Sequence, residues 1–132
     1  MKYLFIILIA FSFIGCDGEE PTKKVYATFT LISNPFNSPA MQIVFGGGGS
    51  YHSIDPFTPL PIGFTHTTAE YLFTKNTNCS ARAMMNGYEP GTEALILTGA
   101  TGNEIEVKFY VNGDLTETRV INGVESTNFI IP

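Results

Sequence analysis

The stretch EIEVKFYVNGDLTETRVI, residues 104–121, decides the fold class of this chain. Apolar residues occupy every second position from Ile105 to Val111, a period of two that is typical of a strand with one buried face. Asn112-Gly113 then precedes a second run, Leu115–Ile121. Asn-Gly between two such runs is the strongest short-range hairpin signal, because both central residues of a type I′ turn need positive φ. The stretch predicts an antiparallel hairpin.

The charges on the polar face predict the register of this hairpin. With a two-residue loop, Lys108 lies opposite Glu117 and Glu106 lies opposite Arg119. Opposite charges at facing positions stabilise a strand pair by about 0.2–1 kcal/mol, whereas a slip by one residue would exchange the two faces. We expect both ion pairs on the outer face.

The rest of the chain repeats short strands and turns. Val25–Leu31 alternates like the hairpin, whereas Cys79–Met85 is compatible with a strand, which we favour, or a short helix. Asp55–Pro61 is expected to be an edge or a connection, because each proline fixes φ and removes a donor. This organisation predicts an all-β chain, an antiparallel Ig-like β-sandwich. Other expected features are strands at Met41–Phe45, Tyr51–Ile54, Ile62–Thr67, Glu70–Lys75, Ala94–Leu97 and Ser126–Ile131, a flexible hairpin or bulge at Gly46–Gly49, and a turn at Asn86–Gly91.

The N-terminal residues have the pattern of an export signal. Lys2 precedes the apolar run Tyr3–Ile14, which is too short for a membrane span of about 20 residues, and Gly15 is a small residue before Cys16. The sequence Phe13-Ile14-Gly15-Cys16 resembles the lipobox of bacterial lipoproteins, although Phe13 stands where that motif usually has Leu. The resemblance implies removal of residues 1–15 and acylation of Cys16. The alternative is an ordinary secretory signal followed by an incidental cysteine.

Two further stretches resemble lipoprotein features. Asp17-Gly18-Glu19-Glu20 is similar to the acidic signal that exports some Gram-negative lipoproteins to the cell surface, and its alternative is a plain acidic tether. Residues 104–115 resemble small Ig-like β-sandwich lipoproteins that are grouped with membrane-transport accessory proteins. These resemblances imply a lipid-anchored outer-membrane protein on the surface or the periplasmic face. We expect a tether over residues 16–23 and a β-sandwich domain over residues 24–132.

Charge and cysteine content limit the partners. Removal of residues 1–15 takes Lys2 from the seven basic residues and leaves twelve acidic ones, so the net charge becomes −6 with histidine neutral. Phosphate binding needs clustered Lys and Arg, and only Lys23 and Lys24 are adjacent, so we expect no nucleic acid partner. If Cys16 is acylated, Cys79 has no disulfide partner and is expected to be a small buried apolar residue.

The chain carries few groups capable of catalysis. His52, Asp55, His66 and Glu70 have side chains of the kind that bind divalent ions, but their spacing matches no ligand pattern, so we expect no metal or cofactor. Cys79 would form a catalytic dyad only if the fold brought a histidine beside it. We therefore expect a chain that is not an enzyme.

Recognition is expected on loops, because a rigid sandwich usually binds through them. The candidate residues are Phe36, Tyr51, Phe57 and Tyr88. The sequence favours a non-enzymatic module that contacts a protein or the cell envelope. The alternatives are a module that binds carbohydrate or another small ligand, a transport-accessory lipoprotein, and a small hydrolase.

Overall fold

The computed structural model describes residues 18, 20–55, 57–88, 95–96, 102–123 and 125–132, with the side chains of 86–88 and 95–96 left aside. These residues form ten strands and no helix. No helix within these ranges could therefore span a bilayer. The strands are β1 Thr22–Ser33, β2 Ala40–Phe45, β3 Gly48–Ser53, β4 Thr65–Thr67, β5 Tyr71–Thr74, β6 Asn78–Tyr88, β7 Leu95–Ile96, β8 Glu104–Val111, β9 Asp114–Asn122 and β10 Ser126–Ile130.

The first sheet has the order β4-β1-β8-β9, with β5 also paired to β1. All pairings are antiparallel, and β4 and β5 lie beside different halves of β1. In β1 the alternation predicted from the sequence is present, because every second residue from Val25 to Leu31 is buried. The strand begins at Thr22, inside the expected tether.

The second sheet has the order β10-β6-β2-β3, with β7 paired to the end of β6. Cys79–Met85 is a strand, and β6 continues to Tyr88 through residues where the sequence predicts a turn. Pairing with β2 extends β6 beyond Met85, since Asn86 lies opposite Ala40. Gly46 and Gly47, both at positive φ, form the turn of the β2–β3 hairpin.

Apolar side chains from both sheets meet in one core. Phe109 of β8 stacks on Phe129 of β10 with ring centroids 4.7 Å apart, and it also contacts Phe45 of β2 at 6.4 Å. All three side chains are at least 98% buried. The predicted all-β class and antiparallel sandwich are confirmed.

The β8–β9 hairpin has the predicted turn but not the predicted register. Asn112 and Gly113 both have positive φ, as a type I′ turn requires. Beyond the turn a bulge leaves Thr116 without a directly opposed residue, so that Lys108 faces Thr118 and Glu106 faces Val120. The two expected cross-strand ion pairs are therefore wrong.

The bulge turns a different set of β9 side chains inward. Ile121 lies opposite Ile105 and is 4% exposed, while Arg119 reaches across to β10 and bonds to the Thr127 hydroxyl and the Asn128 carbonyl. The ion pairs instead run along each strand, Lys108 with Glu106 at 3.0 Å and Arg119 with Glu117. The bulge at Thr116 is therefore accompanied by burial of Ile121 and by the bonds of Arg119 to β10 of the other sheet.

The sandwich has two ends, which different loops and termini occupy. The tether end holds the start of β1, where the Lys23 ammonium donates to the Pro132 carbonyl and the Lys24 N–H donates to the Asn112 side chain at 3.0 Å. The loop end holds the other end of β1 and the loops 34–39 and 54–64, which are joined by a bond from the Leu60 N–H to the Ser38 carbonyl at 3.0 Å. The chain therefore enters β1 at the end opposite to these two loops.

Candidate functional site

The loop end is the first candidate site, and side-chain hydrogen bonds hold its two loops together. The Asn34 amide donates to the carbonyls of Ser38 and Leu60, each at 3.1 Å, and its oxygen accepts the Ser38 N–H at 2.8 Å. Leu60 is 2% exposed and fixes the second loop to the core. One buried leucine and one asparagine thus set the position of both loops.

Asp55 organises the tip of the longer loop. Its carboxylate accepts the N–H groups of Phe57 and Thr58 at 2.8 and 2.7 Å, and also the Thr58 hydroxyl. These bonds, the one from the Thr58 hydroxyl first among them, hold the pKa of Asp55 below its ordinary value. Both carboxylate oxygens of Asp55 are therefore engaged within its own turn.

Apolar side chains cover the surface of the loop end. Phe36 is 58% exposed and Phe57 is 75% exposed, and Ile54 and Ile62 are also largely exposed. Phe36 lies over Gly102, where a Cβ atom would be only 2.9 Å from the ring. The predicted residues Phe36 and Phe57 thus share this end. Tyr51 is exposed in β3, and the side chain of Tyr88 lies outside the described part of the chain, as does Cys16.

The second candidate site is a cleft at the open edge between β3 and the short strands β4 and β5. Its volume is about 220 Å³, and Tyr71 forms one wall, packed edge-on against Phe45 with centroids 5.9 Å apart. Gly46 and Gly48 allow this packing, because a Cβ atom on either would lie 2.6 Å or less from a Tyr71 atom. Gly46 and Gly48 are thus needed for the wall of the cleft, whereas Gly46 and Gly47 form the turn.

Two histidines converge on one hydroxyl at the rim of the cleft. The Nε2 atoms of His52 and His66 each lie 3.2 Å from Ser50 Oγ, and the two ring centroids are 4.3 Å apart. His52 and Ser50 occupy alternate positions of β3, whereas His66 comes from β4 of the other sheet. Burial, and secondarily the neighbouring His52, lower the pKa of His66. We call His52 and His66 the histidine pair.

The other sequence candidates do not join the histidine pair. Asp55 is held in its own turn, Glu70 is exposed, and within the described ranges no third His, Cys, Asp or Glu completes a cluster with the two histidines. Sequence analysis missed Ser50. The Ser50-Tyr51-His52 spacing, which puts the outer two residues on one strand face, could have indicated Ser50.

Cys79 lies away from both candidate sites. It is 1% exposed in β6, where it faces Phe129 of β10, and β2 separates β6 from β3, the strand of His52. Burial raises the pKa of its thiol to about 11. The expected buried, apolar role of Cys79 is confirmed, and the fold does not form the cysteine–histidine dyad considered above.

Comparison of the chain with family models, curated proteins and solved structures gives no match.

Proposed function

We propose that this chain is an exported lipoprotein, anchored through Cys16, whose β-sandwich binds a protein partner through its loop end and catalyses no reaction. The observation that carries the proposal is the position of the loop end. The proposed export signal and Cys16 precede β1, and β1 runs from the tether end to the loop end. An anchor at Cys16 would therefore leave the exposed apolar loops facing away from the membrane.

The length of β1 gives the scale of this arrangement. Twelve residues at about 3.3 Å per residue separate the two ends of the strand by about 36 Å. This distance is comparable with the thickness of a bilayer including its headgroups, about 40–45 Å. Lipid attached near the tether end would thus leave the loop end accessible to a macromolecule.

The chemistry of the loop end favours a protein surface as the partner. Phe36, Ile54, Phe57 and Ile62 present apolar area, and residues 34–39 and 54–64 contain one charged residue, Asp55, and no Lys or Arg. Without basic residues these loops gain nothing from anionic lipid headgroups. Aromatic side chains at the centre of a contact carry much of the binding energy in protein interfaces. Both loops are held by hydrogen bonds, which lowers the entropy lost on binding.

The experiment is photo-crosslinking in the cells that make the protein, with a benzophenone amino acid placed in the full chain. Positions 36 and 57 test the loop end. Leu72 is the matched control, because it is an apolar residue, 66% exposed, that faces Lys24 at the tether end. We expect a discrete adduct with another protein from positions 36 and 57 and none from position 72. Equal adducts at all three positions, or none at positions 36 and 57, would contradict the proposal.

A second experiment tests whether the domain lies on the cell surface or in the periplasm. Protease shaving of intact cells, repeated after the outer membrane is opened, distinguishes the two locations. Digestion in intact cells would support the surface export implied by Asp17-Gly18-Glu19-Glu20. Digestion only after opening would favour a periplasmic partner and the transport-accessory role.

A further inference from the structure

The histidine pair presents two imidazole nitrogens to one point in space. Nε2 of His52 and Nε2 of His66 are each 3.2 Å from the same Ser50 oxygen. A hydroxyl has one proton, so it donates to one ring nitrogen and accepts from the other. Such convergence of ring nitrogens from two different strands is also the arrangement that a shared metal ion requires.

We propose that His52 and His66 bind one divalent transition-metal ion through their Nε2 atoms, at the edge where the two sheets meet. The ion replaces the hydrogen bonds to Ser50, and water in the adjoining cleft completes its coordination. This proposal does not depend on the lipid anchor or on the loop end.

The geometry requires only a small adjustment. Zinc and similar ions lie about 2.0–2.1 Å from a ligating imidazole nitrogen, which in a tetrahedral site places two ring centroids about 5 Å apart. The centroids of His52 and His66 are now 4.3 Å apart, with their planes inclined by 46°. Side-chain rotation can therefore open the space for the ion while both strands stay in place.

The backbone holds both ligands on paired strands. His52 lies opposite Met41 in the β2–β3 pair, and His66 lies opposite Phe29 in the β1–β4 pair. The ring of His52 also packs against Phe64, with centroids 5.2 Å apart. Ligands that are positioned before the ion arrives lose less conformational freedom on binding.

The cleft provides room for the remaining ligands. Ser50, His66, Thr68 and Tyr71 line its volume of about 220 Å³. A water molecule occupies about 30 Å³ in the liquid, so the cleft accommodates several. With two protein ligands, the site lacks the four that close a structural zinc site, so positions remain open to water.

The donor set selects the class of metal. Imidazole nitrogen suits copper, nickel and zinc, whereas calcium and magnesium take oxygen ligands. The carboxylate nearest in sequence, that of Asp55, is engaged by the N–H groups of Phe57 and Thr58. Among divalent ions, Cu²⁺ is expected to bind most tightly.

The test is a titration of the purified full chain, without a histidine tag, with Cu²⁺ under electron paramagnetic resonance. We expect one saturable ion whose spectrum shows coupling to two imidazole nitrogens. His52→Gln and His66→Gln should each weaken binding at least tenfold. Asp55→Asn and Glu70→Gln are the matched controls, since they remove the other two candidate ligands and should leave the affinity unchanged.

The spectrum of the unaltered chain keeps the test decisive even if a histidine variant fails to fold. Absence of a saturable Cu²⁺ site, or coupling to fewer than two imidazole nitrogens, would overturn the proposal. Full affinity in either folded histidine variant would also overturn it, as would a tenfold loss in a carboxylate control. A metal-dependent rise of the melting temperature that both histidine variants lose would support it, because the ion joins the two sheets.

Discussion

Replacement of Gly48 by alanine tests the packing that forms the cleft. A Cβ atom on Gly48 would lie 2.0 Å from the Tyr71 hydroxyl oxygen and 3.2 Å from Cζ. Ordinary contact needs about 3.5 Å, so the hydroxyl must move by about 1.5 Å. The ring resists this movement, because it packs on Phe45 and lies against the backbone of Gly46. Overpacking of this kind costs about 1–3 kcal/mol of unfolding free energy.

Gly49 provides the matched control. A Cβ atom there would meet nothing closer than the Ile43 carbonyl oxygen at 3.5 Å, an ordinary contact. Gly49 lies in the same strand and lacks positive φ. Its replacement by alanine should be neutral or should stabilise the chain by up to about 1 kcal/mol, because the unfolded state loses freedom.

The assay is urea unfolding followed by far-UV circular dichroism, with the midpoint and slope measured for each variant. We expect Gly48→Ala to be less stable than Gly49→Ala by about 1–4 kcal/mol. Tyr71→Phe, which removes the closest atom, should recover about 1 kcal/mol in the Gly48→Ala background. Equal stability of the two alanine variants, with no coupling to Tyr71, would refute the reasoning.

Four other expected outcomes concern three side chains, those of Arg119, Cys79 and Asp55. Arg119→Met should lower the unfolding free energy by about 1 kcal/mol in urea, because it removes the bonds to β10, and no loss would contradict this role. Cys79 should react with a disulfide reagent at pH 8 at least about 100-fold more slowly in the folded chain than in urea. The reason is that its pKa is raised to about 11 from 9.0 in the folded chain. Equal rates would contradict its burial. The folded thiol keeps its proton where the unfolded thiol loses it, so stability should also fall between these two pKa values, and Cys79→Ala should remove that part of the fall. The NMR signal of the Thr58 amide should titrate with a midpoint below pH 3.8, because the pKa of Asp55 is lowered from 3.8. The turn stays intact while the Asp55 carboxylate is ionised and opens only as that carboxylate is protonated. A midpoint at or above pH 3.8 would contradict the turn geometry.

Alternating burial explains why much of the fold could be predicted from the sequence. In β8 the inward positions from Ile105 to Val111 are all buried, and the apolar residues of the sequence alternate with the same period of two. In β3 the pattern fails, because Gly48 and Gly49 carry no side chain to reveal which face is buried. The requirement for glycine at position 48 comes from Tyr71, a residue distant in sequence.

The register of β9 depends on contacts that local sequence does not contain. The charge pattern favoured Lys108 opposite Glu117, but Arg119 bonds to β10 of the other sheet and Ile121 enters the core. These interactions accompany the bulge at Thr116. A pairing rule applied to two neighbouring strands cannot include a third strand that closes the edge of the sandwich.

Of the two candidate sites, one could be predicted from the sequence and the other could not. Phe36 and Phe57 could be predicted because loops between strands are exposed, and Pro and Asn mark those loops in the sequence. The histidine pair could not be predicted, since His66 reaches His52 from the opposite sheet. Spacing along the chain does not predict a contact between two side chains when the edges of two sheets bring them together.

Membrane fractionation of three forms of the chain tests the central claim, attachment through Cys16, most directly. The wild type is compared with Cys16→Ala and with Cys79→Ala, which removes the other cysteine and serves as the matched control. The account predicts that the wild type and Cys79→Ala remain with the membranes, whereas Cys16→Ala is found in the soluble fraction. Retention of Cys16→Ala on membranes as fully as the wild type would contradict it.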